Sequence, residues 1–202
     1  MSGPGAAGPA HPALVLEGRA AVVTGGSGAI GTATAVALAE HGAAVAIIGR
    51  KQEPLEEAAA RVRAGGGTVL ALAADCTSEP EMQAATERVR SGLGRVDILC
   101  TFAGGDGMPL PTHEETAAHW RQVADSELTS TFVTIRAFLP ALLEGKGGVV
   151  VTMASAAARQ AAGSSAAYAA AKAGVIALSR HLAGEYARQA LRTVARTTHY
   201  KE

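Results

Sequence analysis

The stretch AAVVTGGSGAIG, residues 20–31, decides how this chain is read. Ala20 to Val23 is a short apolar run. Thr24-Gly25-Gly26-Ser27-Gly28-Ala29-Ile30-Gly31 follows at once and opens into helix-like sequence. Strand, glycine turn and helix in that order is the setting in which glycines cradle phosphate. Glycine has no Cβ, so backbone N–H groups can crowd a pyrophosphate. The helix then begins with unpaired N–H donors and a partial positive charge directed at the anion. Alone, the turn is a weak signal, because many tight turns share this composition.

Working outward, apolar runs alternate with helix-like segments. After the turn, Ile30, Ala33 and Ala37 fall at helical spacing and Gly42 ends the helix. Val45 to Ile48 reads as a second strand, ending in Gly49-Arg50-Lys51. A helix from about Pro54 carries Leu55, Ala59 and Val62 on one face, and Gly65-Gly66-Gly67 stops it. Val69 to Ala73 is a third strand closing on Asp75. Thr77 or Ser78 caps a helix bearing Met82, Ala85, Val89 and Leu93. Val96 to Cys100 is a fourth strand, followed by a glycine-rich loop from Ala103 to Pro111. A long helical stretch then reaches about Leu143, with Leu128, Phe132, Ile135, Leu139 and Leu142 as its apolar seam and Pro140 as a kink. Val149 to Met153 is a fifth strand, and a last long helix spans about 166–189. Fully apolar strands alternating with helices imply a parallel sheet covered on both faces. Right-handed crossovers make it a doubly wound, Rossmann-like three-layer α/β/α sandwich, one domain over residues 18–202. The ligand belongs at the carboxyl ends of the strands.

Composition narrows the function. A chain of 202 residues, 48% hydrophobic and 18% charged, can bury a sizeable core. Its 18 acidic and 18 basic residues balance, so nothing points to nucleic acid. Residues 1–17 are rich in Gly, Pro and Ala and read as a flexible leader rather than a signal peptide. No run reaches membrane-spanning length. Cys76 and Cys100 lie far apart without metal spacing and read as reduced, buried thiols of a cytoplasmic protein. His41, His181 and His199 have no partners at ligand spacing, so no metal is expected. His113, His119 and Trp120 are candidates to line a pocket, though such residues are more often surface or packing groups.

A second constellation lies on the last helix. Tyr168 and Lys172 stand four residues apart and share a face. A phenol has a reference pKa of about 10, and a cation about 5 Å away favours the phenolate by roughly 3 kcal/mol at an effective dielectric of 20, up to about two pKa units. The pair can therefore tune an acid/base phenol. Ser155 stands thirteen residues before Tyr168, just past the fifth strand.

Taken together, Thr24-Gly25-x-x-x-Ala29-x-Gly31, Ser155, Tyr168 and Lys172 resemble the short-chain dehydrogenase/reductase family. LEGRAAVVTGG, VVVTMAS and SAAYAAAKAGVIALSRHLAGEYA are similar to that family's segments, and the resemblance runs from about Leu16 to Gln189. It implies that Gly25, Ser27, Ile30 and Gly31 bind a dinucleotide, with Ala29 where a middle glycine is usual. Arg50 with Lys51, and no acid after the second strand, implies NADP in preference to NAD. Asp75 falls at the adenine position, Cys76 contributes backbone, and Ala103 and Gly104 approach the cofactor closely. Tyr168 is implied as general acid in reduction and general base in oxidation. Ser155 then holds the carbonyl oxygen, and Lys172 binds the nicotinamide ribose and tunes Tyr168. The substrate implied is a small ketone, a 3-oxoacyl carbonyl or the matching secondary alcohol, in a homodimer formed through the two long helices.

The departures also matter. The chain contains no asparagine. The family's Asn-Asn-Ala-Gly is Thr101-Phe102-Ala103-Gly104 here, with Phe102 expected to pack. The helix asparagine of the catalytic tetrad falls on Glu127, whose ionised carboxylate cannot donate and is expected either to pair with Lys172 or to be solvated. After Gln189, Leu191 to Ala195 begins a sixth strand that Arg196 onward is expected to stop. The family's substrate-covering lid has no counterpart, so the chain reads as C-terminally truncated. A non-catalytic or impaired dinucleotide-binding protein, or an unstable remnant, therefore stays open beside the NADP-dependent oxidoreductase.

Overall fold

The computed structural model describes residues 15–105, 108–145, 147–160 and 163–198. Most of the leader (residues 1–14) and His199 lie outside them. Val15 to Gly18 form a turn that feeds β1 (Ala20–Thr24). The chain then alternates through α1 (Ala29–Glu40), β2 (Ala44–Gly49), α2 (Gln52–Ala64), β3 (Val69–Ala73), α3 (Glu79–Leu93) and β4 (Ile98–Thr101). It continues through α4 (Ala117–Ala124), a π-turn (Asp125–Thr129), α5 (Ser130–Glu144), β5 (Val149–Ser155), α6 (Ala166–Glu185) and β6 (Arg192–Thr198). The six strands form one parallel sheet in the order β3-β2-β1-β4-β5-β6. The order reverses between β1 and β4, which opens a crevice at the carboxyl ends of those two strands.

Strand alternation divides the core. Val22, Ala46, Ile48, Leu72, Leu99 and Val150 face Met82, Val89, Phe138, Leu142 and Leu182 from α3, α5 and α6. Ala21, Val23, Val45, Ile47 and Cys100 face Ala35, Leu55, Ala59 and Val62 from α1 and α2. Phe102 packs at the margin of that second layer, as its apolar side chain implied. Ser78, rather than Thr77, caps α3 by accepting from Glu81 N–H at 3.4 Å, and Gly94 ends α3 in the left-handed region at φ 76°. At the opposite end of the sheet, the buried Asp97 accepts from Arg19, Arg95 and the Ala20 N–H. Burial pushes that carboxyl up, but the hydrogen bonds from Arg95, Ala20 and Arg19 outweigh it and hold the group below its ordinary range.

Four expectations are corrected. Ile30, Ala33 and Ala37 do not form the packed face of α1: all three are exposed, Ile30 by 46%, while Gly31, Thr32 and Ala35 lie against the sheet. A helix of small residues has no strong apolar stripe, so the closest-approaching face wins, and that is the glycine face. The long helical stretch starts at Ala117 and is interrupted by the π-turn, not by Pro140, which sits inside a continuous α5. Phe132, expected in the apolar seam, stands 48% exposed, while Ile135 and Leu142 of the same helix are buried. The sixth strand does not stop at Ala195 but runs to Thr198, with Arg192, Val194 and Arg196 outward along the sheet edge. Charged outward residues on a strand of this kind discourage pairing with other chains.

Candidate active site

The glycine turn is held by its own backbone. Gly26 N–H donates to Ile48 O at 3.1 Å, Gly28 N–H to Gly25 O at 3.0 Å, and Thr32 Oγ1 to Gly26 O at 3.0 Å. Gly25 has φ +65°, and a Cβ there would lie 2.6 Å from Phe102 O. A Cβ on Gly31 would lie 2.1 Å from Gly25 O. Gly28 is the N-cap of α1 and offers no side chain to the amides of the first turn. Ser27, Gly28, Ala29 and Ile30 are exposed at the crevice mouth.

The neighbouring strand ends converge on it. At the end of β2, Arg50 and Lys51 are exposed, and the Ser27 hydroxyl lies beside Gly49. Past β3, Asp75 Oδ1 accepts from Thr77 N–H and Thr77 Oγ1, both at 2.8 Å. Those bonds hold the Asp75 carboxyl below its ordinary value against the opposing effect of burial, with a lesser contribution from the nearby Arg50 guanidinium. The Cys76 thiol behind it is buried, and burial pushes it up to about 11. Past β4, Phe102 N–H and Ala103 N–H both donate to Thr24 Oγ1, at 3.2 and 3.3 Å, which ties the two sides of the crevice together. Gly104 and Gly105 follow with φ +143° and +138°.

Glu127 joins this loop to the last helix. The π-turn places its side chain wholly inside the protein, where Oε1 accepts from Gly105 N–H and Oε2 lies 2.8 Å from Lys172 Nζ. A Cβ on Gly104 would fall 2.4 Å from Glu127 Oε2, so this approach requires glycine. Of the two alternatives, solvation and pairing with Lys172, the structure has the pairing. Lys172, with its side chain 5% exposed, also donates to Met153 O at 2.9 Å, and its Nζ stands 5.6 Å from the centre of the Tyr168 ring. Ser155 is the last residue of β5 rather than just past it; it is nearly buried, and its Oγ accepts from Ala157 N–H at 3.3 Å. Contacts thus run without interruption from Gly25 through Phe102, Ala103 and Gly104 to Glu127, Lys172 and Tyr168.

Sequence reasoning missed one residue. Glu115, whose side chain is 4% exposed, accepts from Ala167 N–H at 3.1 Å through Oε2 and from His119 Nδ1 at 3.0 Å through Oε1. With Ser165 Oγ, which accepts from Tyr168 N–H at 3.2 Å, it closes the first turn of α6. Nothing in the run Glu114-Glu115-Thr116 signals a partner 52 residues away. His113 and Trp120 are exposed. Among the described residues no helix is long and apolar enough to cross a membrane.

Comparison with known proteins gives one answer. The chain matches the family model described as short chain dehydrogenase over residues 19–199. It is similar to D-threitol dehydrogenase of Mycolicibacterium smegmatis, 35% identical over 177 residues, covering 88% of this chain and 68% of that protein. It is similar to levodione reductase of Leifsonia aquatica, 34% identical over 183 residues, covering 90% of this chain and 68% of that protein. A crystal structure of levodione reductase superposes with a TM-score of 0.86 at 33% identity, covering 90% of this chain and 72% of that one. NAD+-bound xylitol dehydrogenase gives 0.88 at 29%, covering 93% and 73%. The parallel sheet, the glycine turn and the matched residues agree: the chain belongs to the short-chain dehydrogenase family and is an oxidoreductase of that family.

Proposed function

We propose that the chain binds NADP(H) in preference to NAD(H) and interconverts a ketone or 3-oxoacyl carbonyl and the matching secondary alcohol, with Tyr168 as the acid/base. One observation carries this reading: Lys172 is fixed between Met153 O and Glu127 with the Tyr168 ring 5.6 Å away, at the same strand ends as the Gly25–Gly31 turn. The crevice fits a dinucleotide. A Cβ at Gly25 or Gly31 would collide with backbone, and the uncapped first turn of α1 aims amides and a partial positive charge outward for a pyrophosphate. Ser27, Ile30 and the backbone at Ala103 and Gly104 line its path, with Asp75 and the Cys76 backbone at the adenine end. Arg50 and Lys51 are the exposed cations at the end of β2, suited to the extra phosphate of NADP.

Bound cofactor supplies or accepts the hydride. The chain's own residues do the rest. Ser155 Oγ holds the substrate oxygen, Tyr168 gives or takes its proton, Lys172 orients the nicotinamide ribose, and the buried frame around Lys172 fixes the spacing. Turnover of NADPH with a panel of ketones and 3-oxoacyl thioesters, compared with Tyr168→Phe, tests it. Equal rates for the two proteins reject it. A second reading, a dinucleotide-binding chain with impaired or no turnover, is favoured by the Glu127 carboxylate on Lys172. It predicts NADPH binding without turnover.

The chain is further proposed to work in the cytoplasm, on the support of two buried free thiols. A homodimer through α4–α5 and α6 is supported by the exposed Trp120 and Phe132; light scattering distinguishes dimer from monomer.

A further inference from the structure

We propose that Glu127 and Glu115 together cancel the positive charge around Tyr168 and so set this site for carbonyl reduction at neutral pH, with the phenol held as a proton donor. The inference rests on the acid/base role proposed for Tyr168. Two positive features face the phenol's segment of α6. One is the Lys172 ammonium, 5.6 Å from the ring centre. The other is the N-terminus of α6, whose first-turn amides have no intrahelical acceptor and carry a partial positive charge. Each carries a buried carboxylate: Glu127 Oε2 lies 2.8 Å from Lys172 Nζ, and Glu115 Oε2 accepts from Ala167 N–H at 3.1 Å.

Coulomb energy falls as the reciprocal of distance. An oxygen 2.8 Å from Nζ can lie at most that much farther from the ring than Nζ itself. At the ring centre it therefore opposes at least about two-thirds of the ammonium's potential. The remaining groups packed here are His119, whose Nδ1 donates to Glu115 Oε1, and the uncharged Ser155 and Met153 carbonyl of β5.

The consequence is chemical direction. In reduction a bound nicotinamide cofactor would supply the hydride to the carbonyl carbon as its π bond opens, and the oxygen would take the Tyr168 proton. The phenolate left behind is reprotonated from solvent. A site whose phenol stays protonated through neutrality meets this need, and acquires its base form for alcohol oxidation only on the alkaline side.

The test reads the phenol directly and needs no turnover. Phenolate absorbance of Tyr168 is titrated as the difference between the wild-type chain and Tyr168→Phe, and repeated in Glu127→Gln and Glu115→Gln backgrounds. The wild-type phenol is expected to ionise only above the neutral range. Glu127→Gln is expected to raise the phenolate fraction at fixed pH by about ten-fold or more, a fall of about one unit or more in the midpoint, with a smaller fall in Glu115→Gln. A wild-type midpoint at or below neutrality overturns the proposal, as does a midpoint in Glu127→Gln that is unmoved or raised. Where Glu127→Gln shows no cooperative thermal transition, the wild-type midpoint and Glu115→Gln decide. Absence of turnover in the same wild-type sample counts against the enzymatic reading alone.

Discussion

Gly31→Ala is the substitution the glycine turn tolerates least. The added Cβ would stand 2.1 Å from Gly25 O, 2.8 Å from Gly25 C and 3.0 Å from Gly26 Cα, all backbone atoms that no rotamer change can move. Gly25 cannot retreat, because its own face lies against Phe102 O, where even a Cβ would come within 2.6 Å. So either α1 lifts from the sheet or the turn opens, a displacement of about 1 Å. Overpacking of this kind costs about 1–3 kcal/mol. The better helix propensity of alanine returns about 1 kcal/mol, which leaves a net loss of up to about 2 kcal/mol. In a domain of this size that lowers Tm by up to about 8 °C. The larger effect falls on the cofactor, since a shift of about 1 Å in the anion-facing amides is expected to weaken NADPH binding by about 10- to 100-fold. Gly184→Ala is the control: a Cβ there meets nothing within 4 Å on α6, so it is expected to raise stability by about 0.5–1 kcal/mol and leave binding alone. Thermal melts and cofactor fluorescence titrations on the three proteins decide it. Gly31→Ala with wild-type Tm and wild-type affinity would refute the reasoning.

Other consequences are equally open to measurement. Arg50→Ala is expected to weaken NADPH binding by about ten-fold or more while changing NADH little; an equal loss for both would remove Arg50 as the selector. Asp97 has a folded-state carboxyl below its ordinary value, so its contribution is present at neutral pH and is lost as pH falls through that lowered value, below about pH 4. Asp97→Asn should therefore cost about 1–3 kcal/mol at neutral pH and progressively less in acid, and a constant difference across that range would contradict the assignment. Burial pushes the Cys76 and Cys100 thiols up to about 11 and about 12, so neither should react with alkylating reagents at neutral pH until the chain unfolds. Stoichiometric labelling of the folded protein would speak against that burial.

Much of this molecule is legible in its sequence because strand and helix periods differ so sharply. The runs at Ala20–Val23, Val45–Ile48 and Val69–Ala73 are apolar throughout, and Val149–Met153 is so but for Thr152, as strands covered on both faces require. What the sequence hides is settled by tertiary contact. The helical stretch to about Leu143 reads as kinked at Pro140, whereas the structure breaks it at a π-turn that buries Glu127 against Lys172 and Gly105. The small residues of α1 leave its packed face undetermined until Gly31 meets Gly25. Arg196 looks like the end of a strand, but with Arg192 it takes an outward position of an edge strand whose Thr193 Oγ1 donates to Ser179 O at 2.7 Å. Glu115 has no local signature at all, because its partner is the first turn of a helix on another part of the chain.

The central claim is that the amine and phenol of α6 serve the same crevice as the Gly25–Gly31 turn. Fluorescence titration of NADPH into the purified chain and into Lys172→Met tests it most directly, with a thermal melt to show that the variant is folded. Saturable binding to the wild-type chain, weakened by about ten-fold or more in Lys172→Met, is the predicted result. No saturable binding, or equal affinity for the two folded proteins, would contradict it.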